Sequence, residues 1–141
     1  MEKIVIRAVQ MPNQKRPDEM IRWFCAVFGF SSEQGESTIE EQILEKFADA
    51  AYRGNGLSSS ELTFKQKIAR STVIYHLNRF IDAGIIVKKG RKYYLRATDM
   101  STVMEEIEYD LDREMRKMIN AAREFDRIMS RRRMLKAKTE W

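Results

Sequence analysis

The chain is poor in the residues that most often carry catalytic or metal chemistry. Its 141 residues include one cysteine, Cys25, and one histidine, His76. A single cysteine excludes an internal disulfide, and one residue of each kind excludes a His/Cys metal cluster within one chain. No Ser-His-Asp triad can be built around any other histidine. Because we also find no glycine-rich phosphate loop and no nucleophile beside a plausible base, we expect neither an enzyme nor a bound cofactor or metal.

Long hydrophobic runs are also missing. The longest fully apolar stretch, Trp23 to Phe28, has six residues, which is too short to span a bilayer. The first ten residues, MEKIVIRAVQ, lack the apolar run and the small-residue cleavage site of a signal peptide. We therefore expect a cytoplasmic protein with no membrane partner. Hydrophobic residues make up 43% of the chain, enough to bury the core of one compact domain with a modest appendage.

Positive charge is concentrated in one part of the chain. The whole sequence holds 26 basic and 21 acidic residues, a formal net charge of +5. Residues 1–52 hold 6 basic and 9 acidic residues, and residues 97–141 hold 10 of each. Residues 53–96 hold 10 basic and 2 acidic residues, a net charge of +8. Such a localised positive face predicts a polyanionic partner, although charge alone does not separate DNA from RNA or an anionic membrane.

The N-terminal region, residues 1–36, predicts a strand followed by a helix. Lys3 to Val9 is short and β-branched, which indicates a strand. Pro17 and the two acids after it are typical of a helix start, and this helix is expected to run to Phe28 and to end at Gly29. The strand and the helix would form part of the body of a dimer.

This first helix is apolar on almost every side. A helix of that kind is buried on more than one side, so we expect a second subunit to cover Trp23, Phe24 and Val27. A small-molecule pocket lined by Trp23 and Phe24 is an alternative to ordinary core packing. Cys25 is expected to be a small buried hydrophobe, with a redox or soft-metal sensor as the less favoured reading.

Residues 37–98 predict three helices and a hairpin. The segment Ser37-Thr38-Ile39-Glu40 fits a capping box, and apolar residues then recur at helical spacing as far as residue 53. A short helix is expected around Leu62, Phe64 and Ile68, followed by a turn and a further helix over residues 70–83. Two short β-rich runs, residues 85–88 and 92–96, flank Lys89-Gly90-Arg91 and predict a basic hairpin.

The order helix, short helix, turn, helix and hairpin defines a winged helix–turn–helix. The segments SSSEL, IARSTVIYHLNRFIDAGII and VKKGRKYYLR, spread over about 60 residues, resemble the ArsR-like winged-helix transcription regulators, particularly archaeal ones. The sharpest matches are Ser71-Thr72-Val73, Tyr75-His76-Leu77 and Ala83-Gly84-Ile85. The chain departs from the family at Gln66, where an apolar residue is usual, and at Lys67, where a turn glycine is usual. We therefore expect an irregular turn, or a core contact supplied by Phe64 instead.

The helix over residues 70–83 has the composition of a recognition helix. Its polar side chains lie opposite an apolar stripe and include groups that can pair with bases, Asn with adenine and Arg with guanine. Ser and Thr near its N-terminus suit phosphate, and the hairpin tip at residues 88–92 suits the DNA backbone or a minor groove. The candidate DNA-binding residues are Lys65, Lys67, Arg70, Ser71, Thr72, Tyr75, His76, Asn78, Arg79, Lys88, Lys89, Arg91 and Lys92.

The C-terminal region predicts one long helix over residues 99–133, capped by Thr98 or Ser101. Its apolar residues are spaced by three or four, which indicates either packing within the chain or, as we expect, dimerisation. The first half is acidic and the second basic, a weak hint of antiparallel pairing. Residues 134–141 are expected to form a flexible basic tail. The candidate dimerisation residues are Trp23, Phe24, Val27, Met104, Ile107, Leu111, Met115, Met118, Ala122 and Phe125.

The sequence therefore predicts a mainly α-helical protein with a small β-hairpin, a winged helix–turn–helix between an N-terminal strand and helix and a long dimerisation helix. We expect a homodimer that binds double-stranded DNA in a sequence-specific way and regulates transcription, with repression as the family-weighted expectation. Two alternatives stay open, a winged-helix module that contacts other proteins in a transcription assembly and a nonspecific DNA-binding chromatin protein. The operator and any small-molecule effector are not determined.

Overall fold

The computed structural model describes residues 3–30 and 38–139, and it is mainly α-helical as predicted. The elements within these ranges are α1 (Pro17–Val27), α2 (Ile39–Tyr52), a 3₁₀ turn (Ser59–Glu61), α3 (Arg70–Asp82), β1 (Ile86–Lys89), β2 (Lys92–Leu95) and α4 (Met100–Thr139). The chain divides into two compact units, Met1–Met104 and Glu105–Trp141. None of the described helices combines the length and the apolar character needed to cross a membrane.

The strand expected over Lys3 to Val9 is wrong. This segment has no regular secondary structure. Its backbone donates from Lys3 to the carbonyl of Asp82 at 3.3 Å and from Arg7 to the carbonyl of Val27 at 2.7 Å. These two bonds go to the ends of different helices, so no strand partner lies alongside. β-Branched residues favour a strand only where a neighbouring strand completes the backbone hydrogen bonds.

Helix α1 begins at Pro17 as predicted and ends at Val27, one residue before the predicted end. Pro17 occupies the first turn, where its missing N–H costs nothing, and two acids follow it. At the other end Gly29 adopts a φ of +74°, which a side chain would strain. This conformation lets the N–H of Phe30 reach the carbonyl of Cys25 at 2.7 Å and the N–H of Gly29 reach Ala26 at 3.1 Å, closing the helix.

Helix α2 begins one residue later than the expected capping box. The Thr38 hydroxyl accepts the N–H of Glu41 at 3.2 Å, so Thr38 is the N-cap and Glu41 the third helical residue. Ser37 lies outside the described residues. The apolar face of α2 packs on α1, α3 and β2 and forms the centre of the core. The fully buried large side chains of the first unit are Phe47, Phe80, Ile43, Leu44, Leu77, Ile85, Ile86, Val103 and Cys25.

The short helix expected around Leu62, Phe64 and Ile68 is also wrong. Only Ser59–Glu61 is helical, as a single 3₁₀ turn, and residues 62–69 are irregular. The side chain of Gln42 holds this segment by two hydrogen bonds. Its Oε1 accepts the N–H of Lys65 at 3.0 Å, and its Nε2 donates to Oε1 of Gln66 at 2.8 Å. The irregular turn expected from the departures at residues 66 and 67 is therefore confirmed.

The predicted hairpin is present. β1 and β2 pair antiparallel, with Ile86 opposite Leu95 and Lys89 opposite Lys92. Gly90 takes the left-handed conformation that the tight turn needs, with a φ of +63°. An isolated antiparallel β-bridge adds a third short segment beside β2, because Leu57 and Tyr93 exchange two backbone hydrogen bonds at 2.8 Å.

Helix α4 is longer than predicted, with 40 residues from Met100 to Thr139. Its cap is Asp99 rather than Thr98 or Ser101, since the Asp99 carboxylate accepts the N–H of Thr102 at 2.7 Å and the Ser101 hydroxyl at 3.0 Å. No glycine or proline follows residue 90, so nothing ends the helix at residue 133. Residues 134–139, expected in a flexible tail, continue the helix, and residues 140–141 lie outside the described ranges.

Candidate nucleic-acid interface

Helix α3 separates an apolar face from a polar one. Val73, Leu77 and Phe80 are buried in the first unit. On the other side Ser71, Thr72, Tyr75 and Asn78 are exposed, and Tyr75 is 60% exposed despite its size. The side chains of Ser71, Thr72 and Asn78 make no hydrogen bond to another described residue. The packing of α3 therefore leaves one row of donors and acceptors available to a ligand.

Two residues expected on that polar face are engaged inside the protein instead. Arg79 donates from Nη1 to Oε1 of Glu40 at 3.0 Å and from Nη2 to the carbonyl of Gly29 at 3.4 Å. Its guanidinium also lies 5.0 Å from the centre of the Phe30 ring. The Glu40 side chain that receives it is only 10% exposed. With these three contacts inside the protein, the Arg79 guanidinium does not lie free on the exposed face of α3.

His76 is the second residue drawn inward. Its Nδ1 lies 3.0 Å from the same Glu40 oxygen, and its side chain is 15% exposed. The separation is that of an ion pair, but the direction of the ring N–H does not make a hydrogen bond, and Nδ1 has no other partner in the described residues. The His76 ring stands edge-on to Tyr75 at 5.2 Å. The His76 side chain therefore lies against Glu40 and Tyr75 rather than on the exposed row of α3.

The hairpin presents four cations. Lys88 and Lys89 each lie over an aromatic ring of β2, with Nζ 5.5 Å from the centre of Tyr93 and 5.7 Å from that of Tyr94. Arg91 and Lys92 are exposed beside the turn, and none of the four has a carboxylate at ion-pair distance in the described part of the chain. The rings hold two of the lysine stems without neutralising them.

Three more cations lie just before α3 or at its first residue. Lys65, Lys67 and Arg70 are exposed and likewise have no ion-pair partner among the described residues. Lys65 and Lys67 lie in the irregular segment between the 3₁₀ turn and α3, and Arg70 is the first residue of α3. The 3₁₀ turn before this segment and β1, which carries Lys88 and Lys89, both pack against α3. Residues 53–96 hold only two acids, and the carboxylate of one of them, Glu61, already has a hydrogen-bond partner. Its carboxylate accepts the Ser58 hydroxyl at 2.9 Å, and this hydrogen bond lowers the pKa of Glu61.

The candidate dimerisation residues fall into two groups. Trp23, Phe24 and Val27 on α1 are half-buried, and the indole of Trp23 donates to the carbonyl of Val9 at 3.1 Å. On α4 the exposure varies along the helix. The exposed members are Met115, Met118, Ala122 and Phe125, the intermediate ones are Met104 and Leu111, and Ile107 is buried.

The structure shows no metal-binding group of three or more His, Cys, Asp or Glu side chains within residues 3–30 and 38–139. Cys25 is fully buried, and burial raises the pKa of its thiol, with a smaller contribution from the negative charges of Glu41 and Glu40. A protonated, buried thiol is a poor ligand and a poor nucleophile. Among the described residues, two open grooves of about 790 and 440 Å³ are lined by neither Trp23 nor Phe24.

Sequence reasoning missed two buried residues of α2 that support α3 and the segment before it. Glu40 was interpreted as part of a cap, yet it binds Arg79, and Gln42 was not singled out, yet it holds residues 65 and 66. The position of Glu40 was the available signal, because it places a carboxylate on the apolar face of α2, where a buried partner is needed. Its partner is 39 residues away in sequence, so local spacing could not identify it.

No protein-family model matches the chain, no curated protein matches it, and no solved structure matches it. The case for a function therefore depends on the residues described above.

Proposed function

We propose that this protein is a sequence-specific, double-stranded DNA-binding transcription regulator of the winged helix–turn–helix class, acting as a homodimer and most simply as a repressor. The observation that carries the proposal is the exposed polar row of α3, Ser71, Thr72, Tyr75 and Asn78, bordered by seven cations that have no ion-pair partner in the described residues. A polar helix face within a cationic surface is what the major groove of DNA requires.

The element order supports the winged-helix part of the proposal. α2, the 3₁₀ turn, α3 and the β1–β2 hairpin follow one another as first helix, reduced second helix, recognition helix and wing. The bridge between Leu57 and Tyr93 supplies the short strand that often backs such a wing. The second helix is reduced to one turn, and the Gln42 side chain supports the segment after it.

Base reading and phosphate binding fall to different residues. Asn78 can make a bidentate pair with adenine, and Tyr75 and Thr72 can contact a thymine methyl or a base edge. Lys65, Lys67, Arg70 and the hairpin cations carry the charge that binds phosphates and gives binding its salt dependence. Loss of Asn78 should therefore change sequence preference, whereas loss of a hairpin lysine should weaken binding to all duplexes alike.

The first experiment is a selection from random duplex DNA at near-physiological salt, followed by sequencing of the bound fraction. We expect an enriched palindrome whose half-site spacing reports the distance between two recognition helices. Affinity for the selected duplex and for an unrelated one is then measured by fluorescence anisotropy over a series of salt concentrations.

Three variants sharpen this test. Asn78→Ala should weaken binding to the selected duplex by about 1–3 kcal/mol and leave unrelated DNA nearly unaffected. Lys89→Ala should weaken both and lower the salt slope by about one. Lys15→Ala, which removes the same charge from the exposed loop before α1, is the control and should change neither.

Two results would contradict the proposal. If no sequence is enriched and binding disappears as salt rises, the cationic surface is nonspecific and the chromatin-protein alternative is favoured. If no duplex binds at any salt concentration, the surface belongs to a protein–protein module.

A further inference from the structure

Helix α4 carries an apolar stripe that its own unit leaves open. Beyond Glu105 the second unit consists of this one helix. Met115, Met118 and Phe125 are 49%, 56% and 61% exposed. Single exposed apolar residues are common on protein surfaces, but a continuous apolar stripe along one helix face marks a contact surface.

The spacing of this stripe is regular. From Leu111 to Met129 the apolar positions follow one another at intervals of four and three residues, which is the seam of a coiled coil. The stripe consists of Leu111, Met115, Met118, Ala122, Phe125 and Met129. Glu108 precedes this stripe by three residues, and Arg132 follows it by three, so each continues the seam as a charged position.

The rest of the helix is able to remain helical while the stripe is exposed. Ion pairs three residues apart join Asp110 to Arg113, Glu114 to Lys117 and Glu124 to Arg127. In each pair the acid precedes the base, the order that also favours the helix dipole. These pairs lie along the helix and do not cover the apolar stripe.

We propose that the occupant of this stripe is the α4 helix of a second copy of the chain, paired antiparallel about Asn120. In this register the seam residues pair in complementary layers. The layers are Leu111 with the partner's Met129, Met115 with the partner's Phe125, and Met118 with the partner's Ala122, each occurring twice. Every apolar residue of the stripe then has an apolar neighbour.

The charged ends of the seam identify the orientation. The antiparallel register places Glu108 opposite the partner's Arg132 in the seam, and it brings Glu105 and the partner's Arg133 to the same flank of the seam. None of these four side chains has an ion-pair partner among the described residues. A parallel pair would instead set Glu108 against Glu108 and Arg132 against Arg132 within the seam, and like charges there are destabilising.

The wider charge distribution agrees with this orientation. Residues 105–114 hold six acids and one base, whereas residues 115–139 hold nine bases and two acids. Antiparallel pairing sets the acidic segment of one copy against the arginine-rich segment of the other. One pair opposes it, because Asp112 faces the partner's Asp126, but the two carboxylates lie at the solvent-exposed flank where such a repulsion is weak.

The first test compares two exposed methionines on the same helix. Met118 lies in the seam, and Met134, which is 63% exposed, lies outside it. Met118→Glu should weaken self-association of the full chain in sedimentation equilibrium at least about tenfold, because a carboxylate would be buried in an apolar layer. Met134→Glu should leave it unchanged. Circular dichroism confirms that both variants keep their helix content.

Charge reversal tests the register. Glu108→Arg alone and Arg132→Glu alone should each weaken the dimer about tenfold, because each creates two like-charge contacts. The double variant Glu108→Arg/Arg132→Glu should restore the affinity to within about threefold of the starting chain. In a parallel dimer neither single variant should weaken association, since each substituted residue would still face a like charge on its own copy.

A distance measurement gives an independent readout. A spin label on Ser130→Cys, at an exposed position of α4, should report about 30 Å between copies, from 1.5 Å per residue about Asn120. A parallel pair would give no more than about 20 Å, the width of two helices. The unsubstituted chain is the labelling control, because its Cys25 is buried.

Three results would overturn the proposal, namely a chain that stays monomeric, a Met118→Glu variant that associates as before, or a double charge reversal that does not recover. A chain that stays monomeric would also contradict the homodimer in the proposed function, but none of the three results bears on DNA binding by α3, because a monomer can still select a half-site. Conversely, a chain that forms this dimer but binds no DNA would contradict only the proposed function.

Discussion

Helices α3 and α4 have the same kind of sequence pattern and opposite environments. Each carries apolar residues three or four positions apart along one face and polar residues along the rest. In α3 the apolar face, with Leu77 and Phe80 at 0% exposure, is covered within the first unit, and the polar face is left open. In α4 the apolar stripe around Met118 and Phe125 is itself open. The same periodicity therefore predicts a face to be covered without predicting what covers it.

Thiol labelling should show the largest difference between the covered core of the first unit, to which Cys25 on α1 belongs, and the exposed surface of α4. Cys25 is fully buried and burial raises the pKa of its thiol, so labelling requires the protein to open. In a chain that also carries Met134→Cys, a thiol reagent should modify Cys25 at least about a thousandfold more slowly than position 134. Similar rates at the two positions in the native protein would contradict the burial of Cys25. Both thiols should react equally fast in denaturant.

Truncating one phenylalanine on each helix should separate folding from association. Phe80 is fully buried and packs 4.6 Å from the Phe30 ring, whereas Phe125 is 61% exposed. Phe80→Ala should lower the free energy of unfolding by about 3–5 kcal/mol in urea denaturation. Phe125→Ala should change the unfolding of the first unit by less than about 0.5 kcal/mol. Its effect should appear in self-association instead, and a large loss of stability on its own would count against the exposed stripe.

Two adjacent residues of α3 make the same comparison on a smaller scale. Arg79→Ala removes the ion pair with buried Glu40 and the contact with Phe30, and should lower the free energy of unfolding by about 1–2 kcal/mol. Asn78→Ala should stay within about 0.5 kcal/mol, because Asn78 is exposed. Thermal denaturation at matched protein concentration distinguishes the two. An Arg79→Ala variant that keeps its stability and loses only sequence-specific binding would show that Arg79 contacts a base.

The smallest effect concerns the first turn of α4. Hydrogen bonds from Thr102, and then from Ser101, hold the pKa of Asp99 below its ordinary value. The stability that this cap contributes is therefore complete above the unfolded pKa of Asp, about 3.9, and is lost as pH falls through the lower, folded pKa. The Thr102 amide resonance should report this titration in NMR spectra.

Asp99→Asn is the matched control for that titration, because an asparagine can still cap a helix but cannot lose its acceptor to a proton. In this variant the acid-induced shift of the Thr102 amide should disappear. A Thr102 shift that titrates at the ordinary pKa of an aspartate in the starting chain would show that the cap is not formed in solution.

Several elements of this protein could be predicted from local sequence. Pro17 and Gly29 mark the ends of α1, Gly90 marks the hairpin turn, and the absence of glycine and proline after it allows one long helix. The exposed row of α3 was predicted in the same way, from the side opposite an apolar stripe. Each of these depends on interactions between residues a few positions apart, which the order of residues determines directly.

The tertiary structure decided what those local rules could not. The segment from Lys3 to Val9 has strand-forming residues but no neighbouring strand, and Arg79 has the chemistry to read guanine but meets Glu40 first. The second helix of the predicted motif gives way to a turn supported by Gln42. In each case the deciding partner is distant in sequence and near in space. A sequence therefore determines which side chains are able to interact, and the fold determines which of them meet.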